Sequence, residues 1–257
     1  MLFFTCEFIY GAMLASLGSS SEKTRGYRLI RQSVEVLVQG LALVFISGLL
    51  SGYILSNILG RDDIPTLLLY SIRGYENATE KLVDYIVSIG WVAAQLYMSP
   101  ITSPLGHVWM AQSWLATYSA HALLAMLSGY KILASILANY GVELLSAGLA
   151  LTATTRLKGM GGVLASSVLV LSYYLILAEH YIVHEIEEVR LDGLMNIPVA
   201  GPAIEIIRGS SMIVIKHGEF FVSRIVLLSF TLSLALIVAS GFSLAIGGLA
   251  RALSARL

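Results

Sequence analysis

In a chain of 257 residues, 57% are hydrophobic and 12% are charged, about half the charge of an ordinary soluble domain. Sixteen basic and sixteen acidic side chains cancel, so net charge does not mark the whole chain as a nucleic-acid binder, and the lone Cys6 excludes an internal disulfide framework or a cysteine-based metal centre. The apolar runs are long rather than short and alternating, which sets aside a transmembrane β-barrel and predicts an all-α protein, one polytopic membrane bundle over residues 1–257.

Residues 2–18 are apolar except for Glu7. No basic segment precedes them and Ala15-Ser16-Leu17 is a poor cleavage site, so they predict a first span, or a helix lying in the interface, rather than a signal peptide. Lys23, Arg25, Arg28 and Arg31 follow with only Glu22 against them, which the positive-inside rule places on the cytoplasmic side. Residues 36–59 predict a second span. Residues 60–84 predict an acid-rich outer loop (Asp62, Asp63, Glu76, Glu80, Asp84) that contains the glycosylation triplet Asn77-Ala78-Thr79. Residues 85–98 predict a short third span, and Ser99–Pro104 an uncharged, proline-marked turn.

The next fifty residues carry only Lys131 and Glu143. As one helix they would be about 75 Å long, against a hydrocarbon core of about 30 Å. A reversal is expected, at Ser128-Gly129-Tyr130-Lys131 rather than at Asn139-Tyr140-Gly141, giving spans at 105–127 and 132–155. Residues 159–178 predict a sixth span that continues as an extramembrane helix into an outer loop, 179–219, broken by Gly193, Pro198, Gly201 and Pro202. Residues 220–249 predict a seventh. On this map the inner segments hold eight Lys/Arg against Glu22 and Glu35, with the amino terminus outside and the carboxyl terminus inside.

Several residues invite chemistry. A carboxylate at the depth expected for Glu143 costs at least about 2.5–3.5 kcal/mol, so it serves either a proton or solute relay or a hydrogen-bonded contact between helices. Ser113, Thr117, His121 and Ser128 share one helical face and, with Glu143, form a candidate polar translocation face. Gly40, Ser47, Gly48, Ser51 and Gly52 form one small-residue stripe and Ser233, Ser240 and Gly247 another; both suit close helix packing, or a hydrated route in an assembly. His107 and His121 have the spacing of a two-haem cytochrome helix, but no other span repeats it; His121 with His180 leaves a single haem as an alternative. His180 and His184, near Glu187 and Glu188, have metal-ligand spacing, yet the order of residues does not fit a zinc protease and a solvated acidic helix explains them. Gly159-Met160-Gly161-Gly162 lacks the Lys and Ser/Thr of a P-loop, and no Gly-x-Ser-x-Gly elbow occurs. No catalytic residue, metal or cofactor is expected, and the chain is read as no enzyme.

The basic segment running into a long small-residue span over Ser20–Gly60, together with the Thr117–Gly162 region, resembles the TrbL-like family of polytopic channel components in conjugation-type DNA-transfer machines. Within it the likeness is to the CedA-like members that serve archaeal DNA import, and it covers roughly residues 20–250. Abundant Ile, Leu, Val and Arg with few Lys and Gln suit a thermophilic source. The resemblance implies a non-enzymatic, multi-copy pore or platform in the cell membrane. It would work with a separate cytoplasmic hexameric ATPase and small pilin-like membrane subunits. Lys23, Arg25, Arg28 and Arg31 would then meet anionic membrane lipid, the ATPase or single-stranded DNA. The competing readings are a small-solute or proton-coupled transporter built on Glu143 and His121, and a haem-bearing electron carrier.

Overall fold

The computed structural model describes residues 2–50, 64–153, 158–187 and 203–254, and these are helical apart from short turns. Leu2–Leu17 is α1 and Ser20–Leu50 is α2. Between them Ser19 opens α2 with one half of a capping box: its backbone N–H donates to the Glu22 carboxylate at 2.7 Å, and its hydroxyl donates to the same carboxylate at 2.7 Å. The hydroxyl bond first, and the backbone bond second, hold Glu22 below the usual carboxylate range. The two helices fold back on each other at a glycine contact. A Cβ on Gly26 would sit 2.5 Å from the Ala15 nitrogen and 2.6 Å from the Gly11 carbonyl oxygen, and backbone cannot swing aside.

Ile64–Tyr97 is α3 and Ser103–Ala153 is α4. Their connection falls at the expected proline-marked turn, where Thr102 donates from its hydroxyl to Leu96 O at 2.7 Å and from its N–H to Ser99 O at 3.1 Å. Lys158–Ala178 is α5, which runs through a π-helical turn, Glu179–Val183, into α6, His184–Glu187. The helix expected over residues 159–178 thus continues beyond Ala178. Ala203–Ser254 is α7.

The chain forms two compact units. One comprises Met1–Leu67, Ile136–Tyr174 and Leu234–Leu257; the other comprises Leu68–Ser135 and Leu175–Ser233. At the centre of the first unit lies Ala165, fully buried, with Ala42, Leu145, Leu149, Leu169 and Phe242 packed around it. Gly161 lies directly on the α4 backbone: a Cβ there would be 2.5 Å from both Gly148 O and Thr152 N. Small residues on both helices permit that approach.

In the second unit α3 and α4 carry coiled-coil patterning. Among the buried residues a seam runs along α3 through Leu68, Ser71, Tyr75, Ala78, Leu82, Tyr85, Ile89, Val92 and Leu96, with Leu67, Gly74, Ser88 and Ala93 buried beside it, and along α4 through Trp109, Ser113, Ala116, Ala120, Leu123, Leu127, Tyr130 and Ala134, with Gly106 and Ser119 beside it. Steps alternate between three and four residues, the 3.5-residue period that keeps one seam turned toward a partner helix. Val214, Gly218, Phe221 and Leu228 continue the same spacing on α7. Buried donors tie the helices together: Tyr75 Oη donates to Leu175 O at 2.8 Å, Tyr130 Oη to Leu228 O at 3.3 Å, and Trp109 Nε1 to Ile89 O at 3.2 Å. Tyr75 meets Tyr130 while Ile89 meets Trp109, so α3 and α4 are antiparallel. Ala116 meets Gly218 while Tyr130 meets Leu228, so α4 and α7 are parallel.

The structure corrects several expectations. Residues 128–131 are not a turn; α4 is one helix of 51 residues. A reversal there would break the seam where Tyr130 is buried between Leu127 and Ala134 and packs edge-on to Tyr75. At about 76 Å such a helix exceeds a hydrocarbon core of about 30 Å. Nor are residues 64–84 a loop: they form the first turns of α3, so Asn77-Ala78-Thr79 lies mid-helix, with Ala78 buried and the Thr79 hydroxyl bonded to Glu76 O at 2.7 Å. Residues 203–219 are helical as the start of α7, and the basic segment is the first half of α2. Residues 51–63, 154–157 and 188–202, which include the end of the expected second span, Arg156, Glu188 and the Gly193–Pro202 breakers, lie outside the described residues, as does Arg256.

Among the described residues three helical stretches are long and apolar enough to cross a membrane: Ser103–Thr152, Gly159–Ile186 and Met212–Leu244. The most apolar window of the middle one is more than half buried within the protein, whereas only 17% of that window is buried in each of the other two. Exposure of large apolar side chains at this scale, Trp91, Trp114, Tyr118, Phe230 and Ile237 among them, marks a membrane-associated chain.

Candidate functional site

The first four turns of α2 carry the most concentrated charge. Gly26 faces α1, and Arg28, two residues on, points about 200° around the helix from it. Lys23, Arg25, Arg28 and Arg31 are all exposed. Arg31 alone leans toward an acid, its Nε 3.9 Å from the Glu35 carboxylate, which is buried. Tyr27, 65% exposed, stands among these cations. The sequence reading passed over this ring; the sign that could have found it is an aromatic residue between Arg25 and Arg28 on a helix whose other side is fixed by Gly26. Cations with an exposed aromatic can neutralise phosphates and stack on a base.

The polar residues of α4 differ in their surroundings. Ser113 is a seam residue, its hydroxyl turned to its own helix at Met110 O, 3.4 Å away. The Thr117 hydroxyl is enclosed and has no partner among the described residues. His121 is exposed, with Nδ1 2.7 Å from Thr117 O. Glu143 is exposed and belongs to the first unit, while Ser113, Thr117 and His121 belong to the second. These four are therefore not one site within either unit.

The histidines singled out for haem or metal sit at the surface. His107 Nδ1 is 3.2 Å from the Tyr97 hydroxyl; His180 lies edge-on to Tyr181, and His184 is exposed one turn on. No three His, Cys, Asp or Glu side chains gather among the described residues.

Charge instead decorates the flanks of the second unit. Lys131 Nζ donates to Glu76 at 2.7 Å, and that hydrogen bond, then the lysine's charge, hold the Glu76 carboxyl below its usual range. Arg224 pairs with Glu185 and lies 4.7 Å above the Phe220 ring. The Glu179 carboxylate rests where any side chain on Gly74 would be. Nothing in the sequence joined Lys131 to Glu76, because 55 residues separate them. No protein-family model, curated protein or solved structure matches this chain.

Proposed function

We propose that this protein is a non-enzymatic membrane component of a conjugation-type DNA-transfer machine, a channel or platform subunit present in several copies. The observation that carries the reading is the exposed surface of α2, which carries Lys23, Arg25, Arg28 and Arg31, with Tyr27 one turn from both Lys23 and Arg31. Cations there neutralise backbone phosphates without reading sequence, and the tyrosine offers a stacking surface for any base. The long apolar helices supply the membrane seat, with lipid and neighbouring copies as the partners of their exposed side chains. Energy and directionality come from a separate hexameric ATPase, and small pilin-like subunits complete the assembly.

The test is genetic. Deleting the gene in its host abolishes uptake of marker DNA. Complementation with the wild-type gene restores uptake, whereas complementation with the quadruple variant Lys23→Ala, Arg25→Ala, Arg28→Ala, Arg31→Ala does not, although the variant reaches the membrane at normal abundance. Undiminished uptake in the deletion strain would overturn the reading.

A further inference from the structure

The second unit contains a group of buried polar atoms that the reading above does not use. Tyr85 on α3 is fully buried, yet its hydroxyl has no hydrogen-bond partner among the described residues. The same holds for enclosed atoms on two other helices of the unit: His217 Nδ1 on α7, and Gln112 Oε1 and Thr117 Oγ1 on α4. Tyr85 and His217 are neighbours. The Tyr85 ring lies 5.5 Å from the His217 ring and 5.1 Å from the Phe221 ring. Gly218, next to His217, packs on the Ala116 backbone, where an added Cβ would be 3.1 Å from the nitrogen. Gln112 and Thr117, five residues apart, lie about 140° from each other around α4, on either side of Ala116.

Buried polar atoms in folded proteins are almost always satisfied, by protein or by ordered water. The tyrosine hydroxyl both donates and accepts and the imidazole nitrogen does either, so the pair matches the two-way bonding of water. A buried water typically makes about three hydrogen bonds to such atoms, so one serves this pair. The outward neighbours Trp114 and Tyr118 are large and exposed, which suits a lipid-facing wall around a wet interior. We infer that the α3–α7 contact of the second unit is a bound-water site, built by Tyr85 and His217.

Radiolytic hydroxyl labelling of the full chain in lipid nanodiscs, read by mass spectrometry, tests this without any variant. Radicals formed on bound water attack side chains beside it even when bulk solvent cannot reach them. Tyr85 and Phe221 are expected to label at least tenfold faster than Tyr75 and Trp109, which are equally buried but donate to Leu175 O and Ile89 O. Equal rates at all four would overturn the inference. In the double variant Tyr85→Phe, His217→Leu, labelling of Phe221 falls to the rate of Trp109; an unchanged rate would also overturn it.

Discussion

Gly161 and Gly40 look alike in the sequence, each a glycine in an apolar helix, but their surroundings differ. A methyl group on Gly161 would meet the α4 backbone at 2.5 Å, whereas one on Gly40 would meet nothing within 4 Å. Gly161→Ala should cost about 1–3 kcal/mol as overpacking, while Gly40→Ala should be neutral or gain up to about 1 kcal/mol through reduced chain entropy. Thermal unfolding in detergent checks both. The stripes chosen by spacing fared poorly for the same reason. Gly40 and Gly48 face open space, and the Ser233 and Ser240 hydroxyls turn back to their own helix at Ser229 O and Leu236 O. Spacing identifies a small face without identifying what covers it. The Lys131–Glu76 pair gives a pH prediction. Because the folded Glu76 carboxyl lies below its reference value of 4.5, the pair's contribution is present above that pH and fades as acid carries the solution through the folded value. The melting temperature of Glu76→Gln should therefore fall below wild type at pH 7, and the gap should close in acid. Both side chains are well exposed, so the gap is small.

α4 shows what sequence patterns did and did not reveal. Its charge-poor length was plain, and the turn before it was legible because Pro100 and Pro104 flank uncharged Ser and Thr residues. The continuity through Ser128–Lys131 was not. The expected reversal rested on hydrocarbon thickness, and thickness limits what lies in lipid, not where a helix ends. The deciding pattern was the alternating three- and four-residue seam, hidden because Ser113, Ala116, Ala120 and Tyr130 do not read as a greasy stripe. Gly129 separates the two accounts experimentally. It is exposed on a helix with space for a Cβ, so Gly129→Ala should stabilise by about 0.5–1 kcal/mol in chemical or thermal unfolding. A loss of stability would favour a turn at that position. The helical character of residues 64–84 was missed for a related reason: acids on the outer side of α3 drew attention from Leu68, Tyr75, Leu82 and Tyr85 beneath them.

At the scale of the whole molecule, composition alone indicated an all-helical, membrane-associated chain, and three helices have the length and apolarity to cross a bilayer. Function was less legible because it rests on surfaces, and a surface needs a fold to assign its sides. The cations of α2 stand out in the sequence; their common exposure with Tyr27, on a helix anchored to α1 at Gly26, does not. The most direct test of the proposed role is the salt dependence of single-stranded DNA binding to the purified protein in nanodiscs of neutral lipid, which removes anionic headgroups as competitors. Four phosphate contacts predict a fall in log affinity with log salt of slope about −3, nearly abolished in the variant lacking Lys23, Arg25, Arg28 and Arg31. Absence of binding by the wild type, or a slope unchanged in the variant, would contradict a DNA-facing α2.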